Sequence, residues 1–486
     1  MRQSIILGMI TLTACMSCTR ETQDRPNIIV MFTDDQGYAD LGIQGVVDDI
    51  RTPNLDRLAK DGVRMTHGYV TAPQCTPSRA GLMSGQYQQK LGVDQNGTYP
   101  MPLDVVLLPQ RLKEAGYVTG MVGKWHLEPN HVMIPWIRET HPELLAGGPL
   151  KPADITQEMR MPYFPSERGF EETWYGQMQR YHANYDLEGH TIDPQWITED
   201  RYRLDIQSDA AVAFIHRNHD KPFFLYLAYF APHVPLEATA QYLDRFPGDM
   251  PERRRYCLAM ISAIDDGVGR ILESLSSHGI RDNTLIFYIS DNGAPLKRYK
   301  EDISLEFRGG AWDGSLNDPL VGEKGMLSEG GIRVPFLVSW PAVLPAGIEY
   351  HDPVISLDVA ATAVAVAGAS AAPELNGVNL VPYLTGDRQD APHDALYWRF
   401  WQQSAIRMGN WKFLKAGPRE FLFDLSGSQP EKENLIGLHP GKAAEIRSKL
   451  ESWAESLRTP GVPEGPLNNQ ETGWYDFYFP DSQSTK

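Results

Sequence analysis

The sequence predicts an α/β protein with a mostly parallel central sheet, followed by a smaller C-terminal domain of antiparallel strands and a helix. Three observations predict it. Between Pro26 and about Gly368, short apolar runs alternate with helical patterns. Two long stretches, Glu128 to Glu199 and Pro295 to Gly322, break that alternation. After about Thr385 the rhythm changes to short strands. The expected division is residues 26–384 and 385–486, preceded by residues 1–14 and 15–25, which read as targeting and tether.

The elements follow in order. "NIIVMF" (Asn27 to Phe32) reads as a buried strand. "TPNLDRLAKDG" (Thr52 to Gly62) reads as a helix with Pro53 at its start and Gly62 past its end. "QCTPSRAGLMSG" (Gln74 to Gly85) reads as another, with Thr76 as N-cap, Pro77 in the first position and Gly85 at the end. "LPQRLKEAG" is a helix and "YVTGMV" a strand. Asp200 to Asn218 is helical, "PFFLYLAYF" a strand, Glu252 to His278 a long helix and "TLIFYIS" a strand. "IRVPFLVSW" is a strand and "SLDVAATAVAVAG" a helix. In the second domain "LYWRFW", "SAIRM", "WKFLKA" and "EFLFDL" predict an antiparallel sheet, with a helix from about Gly441 to Arg458. Loops as long as the two interruptions are functional or unstructured.

At 486 residues the chain can bury a large core. Its formal charge of −17 argues against a general nucleic-acid binder. An anionic substrate remains open, because a local cationic pocket can sit in an acidic protein. Arg2 and the apolar run from Ile5 to Leu12 read as an export signal. Leu12-Thr13-Ala14-Cys15 resembles a bacterial lipobox, which implies a lipoprotein signal peptide over residues 1–14 and lipid on Cys15. A plain signal peptide cut near Ala14 is the alternative. The expectation is an exported cell-envelope lipoprotein of a Gram-negative bacterium, periplasmic or attached to the outer membrane, held by its lipid anchor. No later apolar run is long enough to span a bilayer.

The four cysteines make no disulfide framework. Cys15 is assigned to the lipid and Cys18 falls in the tether. Cys257 lies on an apolar helical stripe with Ile261, Ile264, Val268 and Leu272, which makes it a core residue. Cys75 is left without a structural partner. It stands at a helix start with Arg79 in the first turn, a setting that favours anions and is expected to lower the thiol's pKa. For that motif alone, a buried cap cysteine beside a surface arginine is the plainer reading.

Charged and polar groups follow four of the strands. Asp34 and Asp35 follow "NIIVMF", Asp291 and Asn292 follow "TLIFYIS", Lys124 and His126 follow "YVTGMV", and His233 follows "PFFLYLAYF". Ligands of open α/β sheets bind outside the carboxyl ends of the strands, so these groups are expected on one edge. Asp34, Asp35, Asp291 and Asn292 are donors suited to a hard cation, and neighbouring carboxylates need one between them. One such pair would read as turn residues; two at matching strand ends favour metal. Lys124, His126, His233, Lys324 and Arg79 supply cations and acid–base groups suited to holding an anionic tetrahedral group through reaction.

Cys75-Thr76-Pro77-Ser78-Arg79, followed by "AGLMSGQ", resembles the signature of the type I, formylglycine-dependent sulfatases. The resemblance continues through "NIIVMFTDDQGYADLG", "TPNLDRLAKDGVRMTHGY", "GKWHL", "APHVP", "SDNG", "GEKGMLSEGGIRVPFLVSWP" and "LFDLSGSQPEKENL", from about Pro26 to Leu435. It implies an alkaline-phosphatase-like fold and a sulfuric ester hydrolase. It implies that a maturation enzyme oxidises Cys75 to formylglycine, and that Asp34, Asp35, Asp291, Asn292 and the modified residue 75 bind one Ca²⁺. It further implies attack on sulfur by the hydrated aldehyde of residue 75, held by Arg79 and Lys124. His233 and Lys324 would serve the leaving alcohol, and His126 would take the proton as the aldehyde is regenerated.

Export and lipidation suit a sulfated polysaccharide or its oligosaccharides, by analogy rather than from a binding residue. Candidate substrate contacts are Arg180, His182 and His190 from the first long stretch, and Arg308 and Trp312 from the second. A phosphonate or phosphate ester hydrolase of the same superfamily is the nearest alternative. A non-catalytic glycan-binding lipoprotein is the alternative from another class.

Overall fold

A computed structural model describes residues 25–480, apart from 308, 371, 428 and 429. The expected signal peptide, Cys15, Cys18, all of the tether except Arg25, and Arg308 therefore lie outside the described residues. In chain order the strands are β1 (Asn27–Asp34), β2 (Val63–Met65), β3 (Gly68–Tyr69), β4 (Val118–Gly123), β5 (Glu172–Gln177), β6 (Arg180–Tyr185), β7 (Thr191–Thr198), β8 (Phe223–Pro232), β9 (Thr284–Ser290), β10 (Phe336–Ser339), β11 (Ile348–Tyr350), β12 (Val354–Ile355), β13 (Leu396–Phe400), β14 (Gln403–Met408), β15 (Trp411–Ala416) and β16 (Arg419–Asp424). The helices are α1 (Pro53–Lys60), α2 (Cys75–Ser84), α3 (Leu108–Glu114), α4 (Ile134–Thr140), α5 (Gln157–Arg160), α6 (Arg203–Asn218), α7 (Ala240–Leu243), α8 (Glu252–Ser277), α9 (Glu329–Ile332), α10 (Leu357–Val366), α11 (Val381–Leu384), α12 (Pro440–Ala454) and α13 (Asn469–Tyr478).

Ten strands form one sheet in the order β11-β2-β10-β9-β1-β8-β4-β5-β6-β7. Its centre, β9-β1-β8-β4-β5, is parallel. β10 runs antiparallel to β9 and β2, and β6 antiparallel to β5 and β7. All eight residues of β1 are buried, as expected of a parallel strand covered on both faces. Their side chains alternate between two cores. Ile29 and Met31 pack with residues of α6 and α8, whereas Ile28, Val30 and Phe32 pack with residues of α2, α3 and α10. Cys257 is a free, buried member of the first core, as its stripe predicts.

The stretch from Glu128 to Glu199 is not the loop its sequence suggests. It carries β5, β6 and β7, which extend the sheet beyond β4. Tyr181, Ala183 and Tyr185 of β6 alternate inward. The hairpin turn between β5 and β6 is Met178-Gln179, with φ of 54° and 67°. Turns of that kind are usually marked by Asn-Gly, so no turn signal announces the hairpin.

The C-terminal strands form the expected antiparallel sheet, in the order β13-β14-β15-β16. One face packs on α12 through Ile406, Phe413, Leu422, Ile446 and Leu450. The other packs Trp398, Leu414 and Phe423 against Tyr69, Leu327 and Ile332 of the large domain. The sequence reading did not identify α13, whose Trp474 and Tyr475 join this same core. Lys412, fully buried in β15, pairs with Glu329 at 2.9 Å and Glu431 at 2.8 Å.

Candidate active site

The sheet order makes β9, β1, β8 and β4 consecutive neighbours. The four segments predicted to converge therefore do so at the carboxyl ends of adjacent parallel strands. Backbone bonds carry the register beyond the strands. Asp291 N–H donates to Thr33 O at 3.0 Å, His233 N–H to Asp34 O at 3.1 Å and Lys124 N–H to Ala228 O at 2.8 Å. Asp35 and His126 take positive φ, 67° and 61°, which few residues other than glycine adopt. Such backbone persists where surrounding structure holds it and clusters at functional sites.

Cys75 is the first residue of α2, not an N-cap neighbour as the sequence reading has it. The N-cap is Gln74, and no side chain caps there. Thr76 N–H is instead satisfied by Asn96 Oδ1 at 3.0 Å, and Asn96 N–H donates to Gln74 Oε1 at 2.9 Å. Arg79 is fully buried rather than on the surface. Its guanidinium donates to Asp291 Oδ2 at 2.7 Å, and to Lys124 O and the Tyr226 hydroxyl at 3.2 Å each.

Around Cys75 Sγ stand Asp34 Oδ1 at 3.5 Å and Lys324 Nζ at 3.2 Å. Lys324 also donates to Asp35, and Lys124 Nζ donates to Asp34 Oδ2 at 2.6 Å. Lys324 comes from a distant loop, pinned by Lys324 N–H to Ala294 O at 3.0 Å and Gly325 N–H to Pro73 O at 2.9 Å. The thiol is not acidified, contrary to the expectation from its helix terminus. Burial pushes Cys75 up to about 12, outweighing the nearby Lys124 and Lys324. Cys75 is therefore held as a neutral thiol rather than a thiolate nucleophile.

Ligand atoms of Asp34, Asp35, Asp291 and Cys75 all lie within 4.8 Å of one another. Asn292 Nδ2 donates to Asp35 Oδ1 at 2.6 Å, while its buried Oδ1 has no partner. Burial and the charge of Asp34 push Asp291 up to about 7, despite the opposing Arg79. For Asp34, burial acts upward, but Lys124, His233, Arg79 and Lys324 together hold it well below the usual carboxylate range. Clustered carboxylates that resist ionising together, next to an orphaned amide oxygen, form a donor set that fits a hard cation. His233 Nε2 lies 3.7 Å from Asp35 Oδ2, and its Nδ1 donates to Val234 O at 2.5 Å. Burial holds His233 below its ordinary value against the pull of Asp34 and Asp35. Burial, with Lys124 and Arg79, holds His126 well below its own, and its Nδ1 has no partner.

Beside this centre opens a cleft of about 500 Å³. Lys124, His126 and His233 of the reacting centre line it together with Arg180 and Trp196. Arg180 Cζ stacks 4.9 Å from the Trp196 ring. The sequence reading missed Arg160, which also lines the cleft and faces Glu128 at 3.6 Å. Its helix, α5, has only four residues, too short for periodicity to reveal. It also missed Tyr226, hidden inside a uniformly apolar strand.

Among the described residues, the other substrate candidates His182, His190 and Trp312 do not line the cleft. His182 is packed among Phe164, Tyr175 and Trp196, with ring centroids 5.3–6.5 Å away. His190 sits in the turn between β6 and β7, bonded to Asp186. Because β6 runs antiparallel to β5, that turn is at the opposite end of the sheet from the site. Trp312 is buried, its Nε1 donating to Ser315 O at 2.7 Å.

Cations ringed around clustered oxygen donors, at the carboxyl edge of an α/β sheet, define a hydrolase built for a tetrahedral anionic ester. Comparison with known proteins narrows that class. Residues 26–369 match the Sulfatase family model, and residues 322–451 match that of the N-sulphoglucosamine sulphohydrolase C-terminal region. The chain is 30% identical to Arylsulfatase J of Mus musculus, over 95% of this chain and 82% of that protein. It is 32% identical to N-acetylgalactosamine-6-sulfatase of Homo sapiens, over 76% of this chain and 67% of that protein. Among solved structures, Ps i-CgsB in complex with k-i-k-neocarrahexaose superimposes with a TM-score of 0.73 at 30% identity, covering 94% of this chain and 98% of that one. The chain belongs to the sulfatase family and is a sulfuric ester hydrolase, in a family that generally depends on formylglycine and Ca²⁺.

Proposed function

We propose that this sulfatase acts on a sulfated polysaccharide or its oligosaccharides. Residue 75 would be oxidised to formylglycine by a maturation enzyme. One Ca²⁺ would be held by Asp34, Asp35, Asp291, Asn292 and residue 75. The observation that carries the reading is the position of Cys75 Sγ, within 4.8 Å of three carboxylates and 3.2 Å from Lys324. The cation and the aldehyde-derived group would together supply a nucleophilic oxygen and neutralise sulfate charge.

The chain's own residues then have separable tasks. Arg79, fixed by three acceptors, holds negative charge beside residue 75 without needing to reorganise. Lys124 and Lys324 place two further cations there. His233 donates Nδ1–H to Val234 O, which leaves Nε2 to carry a proton to the leaving oxygen. Burial keeps that imidazole neutral at first; an arriving anionic ester favours its protonated form. His126, with an unpartnered Nδ1, is placed to accept a proton. Arg180 and Arg160 give the cleft a positive wall for the remainder of the glycan.

Both named neighbours with carbohydrate in their names support a glycan substrate. Ps i-CgsB was solved with a neocarrahexaose, and the human relative is an N-acetylgalactosamine-6-sulfatase. We further infer that residues 26–384 hold the reacting groups while 385–486 buttress them. From residues 1–25 we infer export and a lipid anchor at Cys15, on the cell envelope. The deciding experiment compares inorganic sulfate with phosphate release from matched aryl esters, then from sulfated glycans. Faster phosphate release would favour the phosphonate or phosphate ester hydrolase.

A further inference from the structure

The chain leaving β9 passes Asp291 and Asn292 and then runs, from Lys297 to Lys300, through an unusual backbone. Lys297, Arg298 and Lys300 have φ of 49°, 62° and 52°. None is glycine, so each carries steric cost. One buried carboxylate holds the segment in place. Glu323 accepts Lys297 N–H at 2.6 Å and Arg298 N–H at 2.8 Å, and the Tyr478 hydroxyl of α13 at 3.3 Å. The residue after Glu323 is Lys324. The strained segment is therefore built onto the same turn that presents Lys324 to Cys75.

The anchoring uses backbone groups and leaves the side chains for other work. Tyr299 is 61% exposed and Phe477 of α13 is 41% exposed; their rings meet edge to face at 5.0 Å. The Arg298 guanidinium lies 5.5 Å from the Tyr299 ring centroid. Its NH1 lies over Gly473, where a Cβ would approach to 2.7 Å. Lys300 pairs with Asp318 at 3.6 Å. Among the described residues, Lys297 and Arg298 have no acidic partner within salt-bridge distance. Lys297 and Arg298 therefore place two cations beside an exposed aromatic pair, with the charge of Lys297 also felt by Glu323, on a molecule whose formal charge is −17.

We propose that Lys297, Arg298, Tyr299 and Phe477 form a second glycan subsite, which binds a negatively charged sugar residue of the same chain whose ester is cleaved. This rests on the glycan reading above. β9 leads into the segment, which Glu323 and Tyr478 hold, whereas the Arg180 side of the cleft belongs to β6, beyond β4 and β5. β9 and β4 are three strand steps apart, roughly 14 Å, and the reacting centre sits at the ends of the strands between and including them. Cations on both sides suit an extended polyanion lying across the centre, rather than a single sulfated sugar. The aromatic rings offer the apolar face on which a pyranose packs, and the two cations a partner for its sulfate or carboxylate.

The test uses Lys297→Ala/Arg298→Ala, which keeps both backbone donors to Glu323, and Tyr299→Ala as an independent variant. Binding to dextran sulfate is measured at fixed salt, with neutral dextran as control, alongside turnover of a small aryl sulfate. The double variant is expected to bind dextran sulfate about ten-fold more weakly, the size of two exposed ion pairs. Tyr299→Ala is expected to weaken it too. Aryl sulfate turnover should stay within twofold in both, which shows that Lys324 has not moved. Unchanged dextran sulfate binding, equal binding of neutral dextran, or a parallel loss of aryl sulfate turnover would each overturn the subsite. Failure of the unaltered protein to release sulfate from any ester is a different result, and overturns the glycan sulfatase reading instead.

Discussion

Lys324 Nζ lies 3.2 Å from Cys75 Sγ and donates to Asp35, so one lysine bridges the modified position and the carboxylate cluster. Cys75→Ala removes the side chain on which that geometry converges. Turnover is expected to fall at least about a thousand-fold. Stability should change little, since Ala fits where a buried, un-ionised thiol stood. The mass of the tryptic peptide Met65 to Arg79, from a host that matures sulfatases, should show aldehyde in place of thiol. Retained turnover in Cys75→Ala would remove the formylglycine assignment.

Arg79, Lys124 and Lys324 offset only part of the repulsion among Asp34, Asp35 and Asp291. Adding Ca²⁺ to chelator-treated protein should raise its thermal midpoint, with about 4 kcal/mol gained at a thousand-fold excess over Kd. Asp291→Asn relieves part of the repulsion and removes a ligand. Asp291 is also the anionic partner of buried Arg79, so the calcium-free variant should be no more stable than the unaltered protein, and its response to Ca²⁺ smaller. An equal response in both would place the ion elsewhere.

The cleft predicts a contrast between two residues of one hairpin region. Arg180→Ala should raise KM for a sulfated oligosaccharide roughly five- to ten-fold, with kcat little affected. His190→Ala should leave both constants within twofold, because the antiparallel return of β6 carries it to the far end of the sheet. Steady-state kinetics on the two variants decide it.

Lys412 is the cation of a buried cluster that joins the C-terminal sheet to α9. Burial raises Glu329, but Lys412, Arg333 and Arg407 outweigh it and hold this carboxyl below its ordinary 4.5. Burial and the charge of Glu329 push Glu431 the other way, toward neutrality, against Lys412. Lys412→Met leaves buried Glu431 without its cation and Glu329 with only Arg333 and Arg407, and should cost about 3–5 kcal/mol in urea unfolding. Glu431→Gln should cost less. The sign with pH follows from the raised value: the contribution of Glu431 is present below pH 4.5 and lost as pH rises toward 7. The variant should therefore gain on the unaltered protein between pH 4.5 and 7. A difference that grows with pH in the opposite sense would contradict the raised value of Glu431.

Local chemistry determined much of this in the sequence alone. Apolar runs such as "NIIVMF" and "TLIFYIS" are legible as strands because burial on both faces tolerates little else. The groups after them are legible as a site because parallel strands deliver their carboxyl ends to one edge. Tertiary structure decided what depends on contacts between distant segments. It made Arg79 a buried ligand of Asp291 rather than a surface charge, and it raised the Cys75 thiol that a helix terminus alone would have lowered. It turned Glu128 to Glu199 into three added strands, because edge pairing supplied the order that its turn residues do not advertise. It also brought α13 and the Lys297–Lys300 segment onto the turn carrying Lys324. No periodicity records such a meeting, since it depends on which surfaces pack together and not on the spacing within either one.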